Sequence, residues 1–279
     1  MKISLIQMNT QERKDANLAQ AERLIEAAVA EDRPDLVLLP EMFTMLSEDL
    51  EAKRANAEIL PTRDGANTAP GEAYTMLQRL AARHRIHVHG GSLLERAPAE
   101  GGDKFFNTSV AFDRDGNEVA RYRKIHLFDV VTPDGREYRE SANVGRGREI
   151  VTYGIEGHVV GCSVCYDMRF PELYQALAKQ GAEIIVVPSA FTLQTGKDHW
   201  EVLLRARAIE TETYVLAAAQ TGGFAGGKRM HYGNSLVADP WGHVVARAPD
   251  KVGFVTARLD FELLRDVRAR IPVHQHKVL

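Results

Sequence analysis

Three residues able to carry out acyl chemistry stand at similar places in this 279-residue chain. Glu41 follows the apolar run 36–39 through Pro40, Lys124 follows the run 119–122, and Cys165 follows the run 158–164. Each sits where an extended, apolar pattern ends and a turn begins. Side chains at such strand ends project into the crevice where α/β proteins place their ligands. A free thiol is only about 3% thiolate at pH 7. A neighbouring carboxylate can take its proton during attack, and a neighbouring ammonium can stabilise both the thiolate and the oxyanion that follows. If the three strands are neighbours of one polarity, nucleophile, base and electrostatic stabiliser converge on one pocket. Taken singly, the same residues read as a turn carboxylate, a surface lysine and a small buried hydrophobe.

The elements that must position them can be read from periodicity. Residues 2–8 alternate as a strand, and 17–31 carry Leu18, Ala21, Leu24, Ile25 and Ala28 at helical spacing. Residues 36–39 form a short, wholly apolar strand of the kind buried in a sheet covered on both faces. A helix over 71–84 and a strand over 86–89 follow. Strands over 110–112 and 119–122 flank Asp113-Arg114-Asp115-Gly116-Asn117, a hairpin turn. The strand 158–164 leads to Cys165, with Pro171 opening the next helix. Beyond it come a strand over 184–187, a helix over 199–213, a strand over 215–219, a second hairpin around Asp239-Pro240-Trp241-Gly242, and a closing strand over 253–259 with a helix from Phe261. Strands alternating with helices argue for an α/β fold of mixed sheets with helices outside. No linker or repeat divides the chain, so a single domain over 1–279 is expected.

Composition narrows the classes. The chain is 44% apolar and 26% charged, with a formal net charge of −3. Neither nucleic acid nor an anionic membrane is indicated as a partner. The longest apolar runs, such as Ile184-Ile185-Val186-Val187, are too short to span a bilayer. The start runs directly into a strand pattern rather than a signal peptide, and two cysteines make no disulfide framework, so a cytoplasmic location is expected. Cys162-Ser163-Val164-Cys165 could suggest a redox pair, but Cys162 lies in strand context, and residues three apart on a strand face opposite ways. His87-Val88-His89 and His274-Gln275-His276 match no zinc spacing, and no metal is expected.

Leu38-Leu39-Pro40-Glu41-Met42-Phe43, Tyr122-Arg123-Lys124-Ile125-His126-Leu127 and the segment Gly161-Cys162-Ser163-Val164-Cys165-Tyr166-Asp167-Met168-Arg169-Phe170-Pro171-Glu172 resemble the three signature segments of the nitrilase, or carbon–nitrogen hydrolase, superfamily. The resemblance covers nearly the whole chain. It implies a four-layer α-β-β-α sandwich, usually dimerised through the helical face near the nucleophile. It implies Glu41 as general base, Lys124 as oxyanion stabiliser and Cys165 as nucleophile. Glu140, in Tyr138-Arg139-Glu140-Ser141, resembles a second glutamate often counted in such sites. The implied reaction is acyl transfer through a thioester, with the backbone N–H of Tyr166 beside Lys124 in the oxyanion site and no metal or organic cofactor.

Later segments resemble one branch of that family. Pro188-Ser189-Ala190-Phe191, Thr195-Gly196 and the stretch from His199 to Glu210 are similar to amidases acting on ω-amides of α-keto acids. Val215-Leu216-Ala217-Ala218-Ala219-Gln220 and Asp239-Pro240-Trp241-Gly242 are similar to the deaminated-glutathione amidases of that branch. The implied substrate is a small keto-acid amide: deaminated glutathione, cleaved to 2-oxoglutarate and cysteinylglycine, or alternatively 2-oxoglutaramate or an N-carbamoyl compound. Arg169 is a candidate carboxylate clamp, or else an ion-pair partner of Glu172 or Asp167. Phe191 and Thr195 would line the pocket. Lys228 and Arg229, in a Gly-rich stretch, could reach a second carboxylate or could simply belong to a charged loop. One departure stands out: Asn234 occupies a place where the family usually has His, and an amide cannot titrate.

Overall fold

The structure is a computed structural model that describes residues 1–62 and 69–278. The first strands are β1 (Lys2–Gln7), β2 (Leu36–Leu38), β3 (His87–His89), β4 (Leu93–Arg96), β5 (Phe105–Phe112) and β6 (Glu118–Arg123). Then come β7 (Asp129–Val131), β8 (Glu137–Arg139), β9 (Val144–Gly145), β10 (Thr152–Ile155), β11 (His158–Cys162) and β12 (Ile184–Val186). The last are β13 (Tyr214–Ala217), β14 (Thr221–Phe224), β15 (Arg229–Tyr232), β16 (Leu236–Ala238), β17 (Val244–Arg247) and β18 (Gly253–Arg258). The helices are α1 (Lys14–Asp32), α2 (Leu50–Asn56), α3 (Glu72–His84), the single turn α4 (Pro98–Gly101), α5 (Pro171–Lys179), α6 (Leu193–Thr211), α7 (Phe261–Arg270) and α8 (Val273–His276).

Two sheets form the centre. One runs β18-β1-β2-β3-β5-β4, with β6 and β9 also paired to β5; the other runs β10-β11-β12-β13-β16-β17. Their facing sides share one apolar cluster that includes Ile3, Leu5, Leu36, Leu38 and Tyr122 from the first sheet and Tyr153, Val160, Cys162, Ile184 and Val186 from the second. The outer face of the first sheet packs under α1 and α3, where Ile6, Val37, Val88 and Phe112 meet Ile25, Leu77 and Leu80. On the outer face of the second, Leu173 and Leu177 of α5 and Trp200 and Leu204 of α6 are buried. The result is a four-layer α-β-β-α sandwich, as the resemblance implies. The wholly apolar β2 follows from this layering. Leu36 and Leu38 fall in the cluster between the sheets, while Val37 falls in the cluster under the helices, as a period of two requires.

Several boundaries move from their sequence-based positions. Helix α6 begins at Leu193, six residues before His199, because Gly196 hides its apolar pattern. A side chain at Gly196 would strike Tyr232, whose Cβ lies 2.3 Å from where a Cβ would stand. The strand leading to Cys165 ends at Cys162, so Ser163 and Val164 are an extended exit rather than ladder. The strands bearing Glu41 and Lys124 are not neighbours, since β3 and β5 lie between β2 and β6. They do share a polarity: β2 is parallel to β3, β3 antiparallel to β5, and β5 antiparallel to β6. Glu41 and Lys124 therefore leave the same edge of one sheet, while Cys165 leaves the other sheet. Among the described residues, no helix is long and apolar enough to cross a membrane.

Candidate active site

Cys165 opens a short 3₁₀ turn, Cys165–Arg169, directly after the exit from β11. Its φ of 48° is left-handed, a conformation that costs a non-glycine residue of order 1–3 kcal/mol and persists only where surrounding bonds hold it. Its own N–H donates to the Pro188 carbonyl at 2.9 Å. Asp167, fully buried, ties the turn down: it accepts from Val164 N at 2.8 Å, from the Tyr122 hydroxyl at 2.7 Å and from His126 N at 3.0 Å, with His126 Nδ1 at 2.8 Å. Tyr122 and His126 bracket Lys124 by two residues on each side. One carboxylate thus sets the lysine segment and the thiol turn in register with each other.

Glu41 is set from the other side. β2 stops at Pro40, and the chain bends through Met42 at φ 55°. Gly91 lies so close that a side chain there would meet the Pro40 carbonyl at 2.1 Å. The amide of Gln220 donates to the Glu41 carbonyl oxygen at 2.9 Å. Lys124 then joins the two acids: its Nζ donates to Glu41 Oε1 and to Glu140 Oε2, each at 2.9 Å. Asn107 Nδ2 spans the same pair, at 2.9 Å to Glu41 and 3.2 Å to Glu140. Ala190 N donates to Glu41 Oε2 at 2.8 Å, and Phe128 N to Glu140 Oε2 at 2.7 Å.

The electrostatics follow from burial and these contacts. Burial alone would pull the Lys124 ammonium down, but the charges of Glu140 and Glu41 outweigh it and hold its pKa well above the ordinary value. Burial pushes the Cys165 thiol well above its ordinary value; the Glu41 charge and hydrogen bond add to this, and Lys124 only partly opposes it. Burial thus favours the thiol form of Cys165, and the Glu41 carboxylate stands beside it as the nearest available base. Lys124 uses two of its three N–H donors on the glutamates. The Tyr166 N–H, next along the turn, has no acceptor among the described residues. Lys124 and Tyr166 thus leave two donors beside the thiol for a developing oxyanion.

Glu41, Lys124, Glu140 and Cys165 all line one cavity of about 360 Å³, a size suited to a small molecule. Asn107, Phe128, Tyr138, Ala190, Thr192 and His231 complete much of it. The other expected substrate contacts, Phe191, Thr195 and Arg169, are not part of this lining. Phe191 is buried against Trp200, and Thr195 shares a 2.7 Å hydrogen bond with Thr192. Arg169 pairs with neither Glu172 nor Asp167. Its guanidinium lies 5.2 Å from the Phe191 ring and 5.8 Å from that of Tyr166, with Nη1 3.3 Å from His199 Nδ1. Asn234 also lies outside the cavity. It adopts φ 58°, which an asparagine tolerates, and its side chain joins the Tyr232 carbonyl to Arg247. Cys162 is a free, 1% exposed core residue. His87 pairs with Glu156, His89 with Tyr153, and His274 with the Thr211 carbonyl, so the histidine pairs are held apart.

Asn107, Asp167 and His126 escaped sequence reading as working parts. Asn107 sits mid-strand in β5 with no turn to mark it. Asp167 and His126 lie inside the signature segments, but what they contact appears only when the two sheets face each other.

Comparison with known proteins gives the family. Residues 2–269 match the carbon-nitrogen hydrolase family model. The chain is 40% identical over 275 residues to a deaminated glutathione amidase of Synechocystis, covering 98% of this chain and 96% of the relative. It is 34% identical over 280 residues to omega-amidase NIT3 of Saccharomyces cerevisiae, covering 99% and 93%. The crystal structure of S. cerevisiae Nit3 superposes with a TM-score of 0.86 at 32% identity, covering 98% of this chain and 94% of that one. The C. elegans NitFhit protein superposes at 0.88 with 36% identity; there the match covers 99% of this chain but 64% of the longer one. This chain belongs to the carbon-nitrogen hydrolase family.

Proposed function

We propose that the protein is a thiol amidase that hydrolyses the side-chain amide of an α-keto acid, with deaminated glutathione as its substrate and 2-oxoglutarate and cysteinylglycine as products. The observation that carries the reading is a single cavity in which Lys124 bonds two glutamates beside Cys165. Relatives named for deaminated glutathione amidase and omega-amidase activity support the substrate class.

The steps follow from the contacts. Glu41 accepts the Cys165 proton while sulfur attacks the amide carbonyl. The carbonyl electrons move to oxygen, where Lys124 and the Tyr166 N–H hold the oxyanion. Glu41 returns the proton to the amine as the C–N bond breaks, leaving a thioester. Water, deprotonated by Glu41, then releases the acid and restores the thiol. Glu140 and Asn107 fix Lys124 and Glu41 at their working separation. The high thiol pKa is compatible with this order, since proton transfer and attack are coupled.

The whole chain, 1–279, serves as one catalytic domain in the cytoplasm, where a free thiol survives. Val202 and Ile209 of α6 and nearby Trp241 are 66%, 50% and 48% exposed; this apolar face fits a homodimer contact. The test is a panel of deaminated glutathione, 2-oxoglutaramate, a simple nitrile and an N-carbamoyl compound, with the acyl-enzyme trapped for mass spectrometry. Turnover of the keto-amides with a thioester on Cys165 is expected; turnover of only the nitrile or the N-carbamoyl compound would sink the proposal.

A further inference from the structure

One wall of the cavity is cationic without serving the chemistry. Arg229, the first residue of β15, and Lys53 of α2 both line the space that holds Cys165. Arg229 is held firmly along one edge: its Nε donates to Glu48 at 2.7 Å, and its Cζ lies 4.3 Å over the Tyr138 ring. Its Nη1 is buried, and hydrogen bonds to Glu48 and Tyr138 raise the guanidinium pKa against burial. Lys53 is half-buried, and its ammonium has no ion pair or side-chain hydrogen bond among the described residues. Burial lowers its pKa, and the nearby charge of Arg229 adds to this, while Glu48 and Glu140 oppose it. Two positive groups thus line this side of the cavity, Arg229 paired with Glu48 and Lys53 within the field of Glu48 and Glu140.

By contrast, Arg139, the other arginine of the lining, is engaged with Glu137 and its side chain is 72% exposed. Arg169, the arginine that the sequence put forward as a clamp, lies outside the lining altogether. A guanidinium fixed in the cavity lining, beside an ammonium with no ion pair among the described residues, matches a carboxylate that lies between the two. The apolar floor of the wall, Met42, Leu46 and Phe224, would keep water from competing.

We infer that Arg229 and Lys53 form a carboxylate-binding subsite that orients the substrate in the Cys165 cavity. The inference rests on the keto-amide reading above. The carboxylate is either the α-keto acid's own or the peptide terminus on the leaving amine. Both offer the same chemistry, and the two substrates separate them. Glu48 holds the guanidinium in place and also competes for it. The subsite therefore selects substrates by charge and takes no part in proton transfer.

The test is steady-state kinetics of the full-length enzyme with Arg229→Gln, Lys53→Met and Glu48→Gln on deaminated glutathione and on 2-oxoglutaramate, which lacks the peptide terminus. Losing a charged hydrogen bond predicts KM raised roughly 10- to 100-fold in Arg229→Gln, with kcat within about threefold. A smaller rise is expected in Lys53→Met. Glu48→Gln should lower KM, because the competing carboxylate is gone; a purely structural Arg229–Glu48 pair would instead raise it. Loss on deaminated glutathione alone assigns the peptide terminus, and equal loss on both assigns the keto-acid carboxylate. Unchanged KM in both cation variants overturns the inference. Should the wild type hydrolyse neither keto-amide, the functional reading fails by itself. The subsite is then read by calorimetric titration of Cys165→Ala with 2-oxoglutarate and with cysteinylglycine; it stands if Arg229→Gln weakens either and falls if it weakens neither.

Discussion

On the cavity floor, Glu41, Lys124 and Glu140 are tied to one another and to Asn107 and backbone N–H groups, whereas on the wall Arg229 has one ion-pair partner, Glu48, and Lys53 has no ion pair among the described residues. The floor rises from the ends of β2 and β6 in one sheet, from the residue after β8, and from the turn fixed by Asp167 beyond β11. The wall comes from α2, the short pair β7–β8 and the hairpin β14–β15. Such peripheral pieces cost little to vary. The difference suggests a division of labour in which the floor is preorganised for one reaction and the wall sets which molecule undergoes it. A preorganised floor gains its effect by not having to rearrange during reaction. A wall whose ammonium has no ion pair among the described residues gains its effect by having something to satisfy on binding.

The largest break in this picture is Cys165→Ala. Amide hydrolysis should fall to background while circular dichroism and melting temperature stay close to wild type. Cys162→Ala, three residues away but in the core, should leave turnover nearly intact and cost about 1 kcal/mol or more of stability through its small cavity. A Cys165→Ala enzyme that still turns over would remove the floor's central member.

Lys124→Ala comes next. Losing an oxyanion donor typically costs about 10²–10³ in kcat. It also removes the donor that Glu41 and Glu140 share. Steady-state rates are the check: a kcat within about threefold of wild type would mean that the lysine does not hold the oxyanion.

The raised thiol pKa gives a third, smaller effect. Because burial first, and then the Glu41 charge, disfavours the thiolate, alkylation of the resting enzyme by iodoacetamide should keep accelerating above pH 9. An ordinary cysteine would plateau there. A plateau below pH 8 would indicate a preformed thiolate and a different first step.

Much of the floor was legible in the sequence, and the reason is local. An apolar β-strand that stops at Pro40-Glu41, Lys124 or Cys165 announces a strand end, and strand ends of one polarity meet at one edge. Two features were hidden because they are not local. That Glu41 and Lys124 leave one sheet while Cys165 leaves the other depends on how the layers stack. That Asn107 spans both glutamates depends on a mid-strand register. The wall was harder still. Lys53 lies on a seven-residue helix with no buried residue, so neither periodicity nor motif singles it out. Phe191 and Thr195 came from segments that resemble the amidase branch, and Arg169 from its place four residues after Cys165; Ala190 and Thr192 line the cavity instead.

The smallest effect tests whether the wall is as loosely coupled to the fold as its bonding suggests. Arg229 pairs with a Glu48 whose side chain is 53% exposed, and exposed pairs of this kind contribute about 0–1 kcal/mol. Arg229→Gln should therefore shift the urea midpoint only slightly. Asp167→Asn, which disturbs a fully buried carboxylate with several donors around it, should cost about 1.5–3 kcal/mol for a lost charge-assisted bond and lower kcat more than it raises KM. The two variants move opposite observables: the floor variant loses stability and kcat together, while the wall variant loses KM alone. If Arg229→Gln destabilises the protein as much as Asp167→Asn does, the wall is part of the scaffold, and its guanidinium lines the cavity as a by-product of packing rather than as a place for a substrate.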